Sequence, residues 1–462
     1  MQDEDMLREV AKDCVHCGFC LPACPTYQLW AEEMDSPRGR IYLVNQILDG
    51  AELSATAAEH FDRCLGCMAC MTACPSGVQY DQLIEAAREW TEEARSGSAA
   101  QPAVTSPAAL PAAVPAGLPA GKRPMRERAA RAAIFSLFPY PRRLRALTAP
   151  LRTVQRTGLD QRLARSSLPG RVSPALGAAL RLTPSGPVPA TAASRLPRRV
   201  PALGTRRAVV GMLTGCVQSV FFPQVNASTA RVLAAEGCDV IIPRGQGCCG
   251  ALSLHSGREA EAAAFARRTI TTFEQSGVDA IVVNSAGCGS AMKEYERLLA
   301  RAERRDPAAA SGWTERAAEM SGKVRDLAEF LVEIGPVARR HPLPVTAAYH
   351  DACHLAHAQR ITRQPRDLLR AIPELNLVEL ADAGTCCGSA GVYNLLQPEA
   401  ASELGGRKAE AVLAAGAPLL ISANPGCSLQ IASALAERGE HIAVAHTAEI
   451  LDASIRGLPA PG

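Results

Sequence analysis

CVHCGFCLPACP (14–25) and CLGCMACMTACP (64–75) share one spacing, C-x2-C-x2-C-x3-C-P, and that spacing decides what the N-terminal part of the chain folds around. Three thiolates two residues apart can wrap three irons of one cubane from a single tight loop. The fourth cysteine opens the next helix, faces the other way and, in two-cluster proteins, ligates the other cluster. The expected sets are Cys14, Cys17, Cys20 and Cys74 for one [4Fe–4S] cluster, and Cys24, Cys64, Cys67 and Cys70 for the second. Gly18 and Gly66 relieve crowding near the sulfides, and Pro25 and Pro75 end each run. Zinc sites use four ligands in all, usually two C-x2-C pairs or one such pair with histidines; two identical four-cysteine runs exceed that. Between the runs, PRGRIYLVNQILDG and LSATAAEHFDRC read as helical, with Trp30, Tyr42 and Phe61 as core.

The whole chain bounds the class of protein. At about 100–200 residues per domain, 462 residues predict two to four domains. An apolar fraction of 47% argues against wholesale disorder. No run approaches the ~18–20 apolar residues of a membrane-spanning helix. The acidic start MQDEDMLREVAKD lacks the apolar stretch of a secretory signal, so a cytoplasmic location is expected. In that reducing setting the 17 cysteines are metal ligands or redox groups, not a disulfide scaffold.

The cysteines form two blocks, eight from Cys14 to Cys74 and nine from Cys216 to Cys427. Between them, residues 95–207 carry 20 Lys or Arg against only Glu127 and Asp160, a local net of +18; since the chain totals +3, the remainder carries −15. This stretch also holds 16 of the 33 prolines, which block helix and sheet ladders, so 98–121 and 182–204 read as extended linker. RERAARAAIFSLFPYPRRLRALTAPLRTVQRTGLDQRLARSSLP, between those linkers, has apolar spacing for two or three short helices interrupted by Pro139, Pro141 and Pro150. Such basic helices could lie on anionic lipid or an acidic partner subunit, or form a solvated connector. A peripheral position on the inner face of the cell membrane is compatible with that charge.

The C-terminal part repeats itself. AVVGMLTGCVQ (208–218) and VTAAYHDACHL (345–355) each run as a strand into a cysteine; GQGCCGALS (245–253) and GTCCGSAGV (384–392) follow; DAIVVNSAGCGS (279–290) and PLLISANPGCSL (418–429) again place a cysteine after an apolar strand. VRDLAEFL (324–331) and VAHTAEIL (444–451) close the two copies. Short apolar strands alternating with helical stretches imply βα units and a parallel sheet in each copy, with chemistry at the C-terminal ends of the strands. The fold class is therefore α plus α/β, with expected domains 1–97, 98–205 (connector), 206–340 and 341–462. Each copy offers four cysteines: Cys216, Cys248, Cys249 and Cys288, then Cys353, Cys386, Cys387 and Cys427. Closely spaced thiolate ligands explain the vicinal pairs better than a vicinal disulfide does. Cys238 has no counterpart and reads as a small buried apolar residue. His350, His354 and His357 surround Cys353 and could ligate metal, move protons or hydrogen-bond at a strand–helix corner; His255 reads as structural. No Walker, flavin or nicotinamide fingerprint is present.

The pattern cysteine, CCG, cysteine resembles the duplicated cysteine-rich "CCG" domain of heterodisulfide reductases and of the iron–sulfur subunits of several 2-hydroxyacid and glycerol-3-phosphate dehydrogenases. A two-cluster ferredoxin module followed by two CCG domains is most similar to the iron–sulfur subunits of glycolate oxidases. MDSPRGRIYLV (34–44), CPSGVQYDQLIEAAR (74–88), HDACHLAHAQ (350–359), CCGSAGVYNLLQPE (386–399) and ANPGCSLQI (423–431) carry the match. The connector is longer than the resemblance leads one to expect. The full CCG pattern ends in C-x-x-C, but Ser285 and Asn424 stand at the first of those positions. That puts a five-cysteine, non-cubane cluster in doubt, although the eight CCG cysteines could hold one or two further iron–sulfur clusters, and it argues against heterodisulfide reductase activity. The resemblance implies an oxidoreductase subunit with no catalytic acid or base of its own. A separate FAD subunit takes the hydride from glycolate, giving glyoxylate, and electrons pass singly through this chain toward a quinone or another non-NAD, non-O2 acceptor. A lactate or anaerobic glycerol-3-phosphate dehydrogenase complex, or a thiol reductase acting at the CCG sites, are the alternatives. No nucleic-acid partner is expected.

Overall fold

The computed structural model of the chain describes residues 2–96, 119–157, 174–183, 196–307 and 312–461. In the N-terminal domain the helices Gln2–Lys12, Pro37–Leu48, Ala55–Arg63 and Tyr80–Ser96 pack around Ile41, Val44, Leu48, Phe61, Leu83 and Ile84. The two helices between the cysteine runs start where serines cap them. Ser36 Oγ accepts from the Gly39 amide at 3.0 Å, with Pro37 in the first turn where its missing N–H costs nothing, and Ser54 Oγ accepts from the Ala57 amide at 3.1 Å. Phe61 is core as expected. Trp30 and Tyr42 are not: each is 38% exposed. Trp30 ends the one-and-a-half-turn helix Pro25–Trp30, and the Arg63 guanidinium covers its ring at 5.0 Å.

The C-terminal part forms two α/β modules. The first sheet has the order β1 (Arg199–Val200), β3 (Cys238–Ile241), β2 (Ala208–Met212), β4 (Ala280–Val283), β5 (Val324–Asp326). All pairs are parallel except β1, which lies antiparallel on β3. Residues 199–200, within the connector as read from sequence, thus belong to this sheet. The second sheet, all parallel, runs β7 (Leu375–Glu379), β6 (Val345–His350), β8 (Leu419–Ser422), β9 (Ala443–His446). The repeat extends to the helix starts after β5 and β9. Asp326 and Glu329 form a reciprocal cap on one, and His446 and Glu449 the same cap on the other. Cys238 is fully buried in β3, and burial pushes its thiol up to about 11.

The connector supplies three described helices, Met125–Leu137, Pro141–Arg156 and Pro174–Arg181. Pro139 and Pro141 separate the first two. Pro150 does not interrupt: the second helix continues through it, losing one N–H bond nine residues past its start. Most of the extended stretches at 98–121 and 182–204 lie outside the described residues; Pro119, at the end of the first, bridges to Ser54. Part of the connector's charge is consumed within the chain. Arg123 pairs with Asp62 (2.9 Å), Glu92 (3.3 Å) and Glu127 (2.6 Å), Arg131 with Glu92 (2.8 Å), and Arg95 with Asp62 (2.8 Å). Apart from Glu127, the acidic partners of these arginines belong to the N-terminal domain itself.

The modules meet at their repeated corners. His446 Nε2 donates to the Asn284 carbonyl (2.8 Å), the Ala286 amide donates to the Ala423 carbonyl (3.2 Å), and Asp452 binds Arg231 (2.6 Å) and Ser228 (3.1 Å). Burial holds the His446 imidazole neutral, its pKa lowered to about 4. The unfolded chain takes up that proton near pH 6.5 whereas the folded chain does not, so stability is full above 6.5 and falls between 6.5 and 4. The loss is about 1.4 kcal/mol per pH unit, ~3 kcal/mol in all. His446→Asn should flatten the fall in urea midpoint between pH 7 and 5 by about one proton's worth. An unchanged slope would assign the acid sensitivity elsewhere.

Candidate iron–sulfur centres

All 17 cysteines are free thiols. Cys14, Cys17, Cys20 and Cys74 line one cleft together with Cys70. Of the eight N-terminal cysteines, Cys17 is exposed, Cys14, Cys20 and Cys74 are half-buried, and Cys24, Cys64, Cys67 and Cys70 are buried. Burial pushes the Cys14 and Cys20 thiols up, and those of Cys67 and Cys70 much further. The neighbouring thiols that add to this are Cys74 and Cys17 for Cys14, and Cys67, Cys64, Cys24 and Cys20 for Cys70. Buried thiols in this density are poor as isolated acids and well suited to sharing a polynuclear cation, whose binding drives off their protons.

Cys64 is the exception. Burial alone would raise its thiol, but the guanidiniums of Arg40 and Arg88 bring it below the ordinary value. Arg40 is 1% exposed and its three nitrogens are all engaged: Nε on the His60 carbonyl (2.7 Å), Nη1 on Thr26 Oγ1 (3.1 Å) and the Asp35 carbonyl (2.6 Å), Nη2 on Asp35 Oδ1 (3.2 Å). Asp35, fully buried, also binds His60 Nδ1 (2.9 Å) and Arg63 Nη1 (3.1 Å). Thr26 Oγ1 lies 3.2 Å from Cys24 Sγ. This polar knot fastens the first cysteine run to the helix preceding the second. The glycines in the runs also serve a backbone purpose. Gly66 has φ +67°, and a Cβ there would stand 2.8 Å from Arg88 Nη1; Gly18 has φ +87° with Arg38 in the same relation. Each glycine lets an arginine lie against its cysteine loop.

In the repeated modules, all eight CCG cysteines line a single cavity of about 340 Å³, whose other wall is largely apolar and includes Leu144, Leu147, Leu176 and Leu180 from the connector helices. The second thiol of each vicinal pair is drawn well below the ordinary value by neighbouring side chains, Cys248 and Cys288 around Cys249, Cys386 and Cys427 around Cys387. The first thiol is pushed well above it, chiefly by Cys216 for Cys248 and by Cys353 for Cys386. The glycine that ends each CCG is needed for its shape. Gly250 (φ +92°) and Gly388 (φ +87°) press on a following helix, where a Cβ would meet the Ala262 carbonyl at 3.0 Å and the Ala401 carbonyl at 2.8 Å. Ser285 and Asn424 face each other across the module boundary, Ser285 Oγ donating to Asn424 Oδ1 at 3.4 Å, and Asn424 Nδ2 lies 3.4 Å from Cys427 Sγ. They replace two thiols by a polar contact between copies.

The N-terminal domain docks on the second module beside Cys67. Leu65, Cys67 and Ala69 pack with Cys386, Tyr393, Ala401 and Leu404, and Cys353 borders the same cluster. Here His354 and His357 do hydrogen-bond at the strand–helix corner. His354 Nε2 reaches the Gly66 carbonyl (2.8 Å); His357 bridges Thr72 Oγ1 (3.0 Å) and the Gly384 carbonyl (2.8 Å). His255 packs edge-on against His354, ring centroids 4.8 Å apart, and burial holds it neutral. A second contact joins the helix Tyr80–Ser96 to the first module. Asp81, Glu85 and Glu89, spaced four apart, meet Arg297, Arg301 and Arg305, also four apart, with Arg297–Asp81 at 2.6 Å and Arg301–Glu85 at 3.0 Å. Arg301 also binds Glu259 at 3.1 Å. Sequence reasoning missed this pairing and the Arg40 knot; the matching i, i+4, i+8 series of acids and arginines is the signal that would have found the first.

These features define an iron–sulfur protein built from a two-cluster domain and a duplicated cysteine-rich domain. Family models agree in both placement and kind: a 4Fe-4S dicluster domain over residues 10–78, a cysteine-rich domain over 210–293 and again over 347–432, and the linker region of glycolate oxidase iron-sulfur subunits over 126–183. That part of the connector is therefore a regular feature of the family, not an expansion. The chain belongs to the family of glycolate oxidase iron-sulfur subunits. It is 34% identical over 95% of its length to the probable glycolate oxidase iron-sulfur subunit of Bacillus subtilis (93% of that protein), and 33% identical over 92% to the glycolate oxidase iron-sulfur subunit of Escherichia coli (90%). Lactate utilization protein A of Shouchella clausii is 32% identical but matches only 53% of this chain, covering 98% of its own length.

Proposed function

We propose that the chain is the electron-transfer subunit of a glycolate-oxidising complex. The observation that carries this reading is the order of the thiol groups: a set at the surface, a buried set, and the second module's CCG set apposed to the buried one through Cys67, Cys353 and Cys386, with the first module's set on the same cavity. Cys14, Cys17, Cys20 and Cys74 are assigned to one [4Fe–4S] cluster, Cys24, Cys64, Cys67 and Cys70 to the second, and the CCG quartets to further centres. Bound there, iron–sulfur clusters supply one-electron storage at potentials set by charge, hydrogen bonding and burial. Arg40 and Arg88 place positive charge beside the buried set, which favours its reduced state. The domains are assigned as 1–97, 98–205, 206–340 and 341–462, with β1 contributed from the connector's end.

A flavin-bearing partner takes the two-electron hydride step, for which this chain offers no organic acceptor. Val15 and Phe19, each 67% exposed between cysteines of the surface set, form the face such a partner would cover. Phe19→Glu should weaken association with the catalytic subunit at least tenfold, about 1.4 kcal/mol, with iron content unchanged; undiminished co-purification would place the partner elsewhere. On the acceptor side, no helix among the described residues is long and apolar enough to cross a membrane. The exposed Arg142, Arg143 and Leu147 of the connector suit a peripheral contact with an anionic membrane carrying a quinone. Turnover of the purified complex with glycolate, lactate and glycerol-3-phosphate tests the substrate; faster turnover of either of the others would overturn the glycolate assignment.

A further inference from the structure

We propose that His350 is a nitrogen ligand of the iron centre in the second cysteine-rich module, and that the two modules therefore hold chemically different centres. The inference rests on the reading that Cys353, Cys386, Cys387 and Cys427 hold an iron–sulfur centre. His350 ends β6 and is 1% exposed. A ring nitrogen of His350, Cys387 Sγ and Cys427 Sγ all lie within 4.8 Å of one another, the only such grouping of metal-ligating side chains among the described residues.

Neither ring nitrogen is engaged by a backbone group or a hydroxyl; the polar group His350 faces is the Cys387 thiol, which it helps draw below the ordinary value. His354 and His446, also buried at these module corners, each spend a nitrogen on a backbone carbonyl. A buried imidazole without a carbonyl or hydroxyl partner is poorly satisfied, and ligation of a metal by one nitrogen offsets that cost. Ser422, the register partner of His350 on β8, also keeps a buried hydroxyl without a partner, on the strand next to the ring. Imidazole can bind a metal through one ring nitrogen while the other carries the N–H.

Among the described residues the first module has no imidazole grouped in this way with its thiols; its His255, which also lines the cavity, packs edge-on against His354. Its equivalent position, three residues before Cys216 as His350 is three before Cys353, is Leu213, buried in the apolar core of that module. The first site is thus four thiols, and the second is four thiols and an imidazole. Putting a thiolate in place of that neutral nitrogen adds negative charge and lowers the reduction potential of an iron–sulfur centre, the converse of centres where histidines replace cysteines. The second module's centre is also the one that the buried N-terminal set adjoins through Cys67.

The test is pulsed EPR of the full chain, purified anaerobically with its iron, from cells supplied with 15N-histidine or unlabelled histidine and poised at stepped potentials. The expected result is a coupling of the strength of a directly bound imidazole nitrogen that changes with the isotope. It should vanish in both His350→Leu and His350→Cys, while His350→Cys keeps wild-type iron and sulfide and titrates at a more negative potential. No isotope-sensitive coupling at any potential, or one persisting in His350→Cys, overturns the proposal. Cys386→Ser and Cys427→Ser separate the two readings. If iron content does not fall in either, the second module holds no centre and both readings fail together; if iron falls but nitrogen coupling is absent from the wild type, only the role of His350 fails.

Discussion

Arg40→Met is expected to cost the N-terminal domain about 3–5 kcal/mol and to empty the buried cysteine set of iron. Removing one partner of a buried ion pair leaves the other as an uncompensated charge, and that is the origin of the magnitude. Asp35 is fully buried and loses one of its two arginines, and the Asp35 and His60 carbonyls lose charged donors at 2.6 and 2.7 Å. The same change removes the larger of the two charges that lower the Cys64 thiol, and iron binds the thiolate, not the thiol. Arg40→Lys keeps the charge but not the fork, and should fall between the two. Iron per chain and the urea midpoint measured on all three proteins check this; wild-type values for Arg40→Met would mean that the knot is not what holds the two cysteine runs together.

The second large effect is expected at Arg301→Met, also about 3–5 kcal/mol. Arg301 is the only guanidinium that contacts both Glu85 and Glu259 among the described ion pairs, and all three residues are buried. Without it two carboxylates remain at the junction of the N-terminal domain and the first module. Burial already raises the Glu259 carboxyl in the wild type. In the variant the folded-state Glu259 carboxyl rises further above its unfolded value, so the deficit is largest at neutral pH. It narrows as pH falls and the folded protein takes up protons there. Urea midpoints of wild type and Arg301→Met at pH 8, 7 and 5.5 should converge toward the acid end. A gap that stays constant would assign the loss to packing instead of charge.

The cysteine spacing makes the two-cluster domain legible, because the ligand geometry of a cubane constrains sequence directly. The repeat is legible for a similar reason: strand, cysteine, CCG, strand, cysteine recur in order, and the parallel sheets follow from the βα alternation. What stays hidden depends on tertiary position. Arg40 reads as one arginine among many, and nothing local distinguishes a guanidinium facing water from one enclosed by Asp35, His60 and Thr26. Trp30 and Tyr42 read as core by their apolarity, yet both lie partly exposed, Trp30 at the end of a short helix under Arg63. The +18 of the connector resembles an external docking signal because its partners, Asp62 and Glu92, lie far away in sequence. His350 shares one motif with His354 and His357, and only the fold separates the two that meet backbone carbonyls from the one that meets thiols.

The central claim, that this chain carries electrons from a glycolate-oxidising partner through its cysteine sets in order, is tested most directly by freeze-quench EPR. The anaerobic complex is mixed with glycolate and sampled over time. Reduced iron–sulfur signals from this chain should appear after flavin reduction and before acceptor reduction. In a complex carrying Cys64→Ala, flavin reduction should persist while acceptor reduction falls by at least tenfold. Acceptor reduction at the wild-type rate in that complex would contradict the account, because electrons would then be leaving by a route that bypasses this chain.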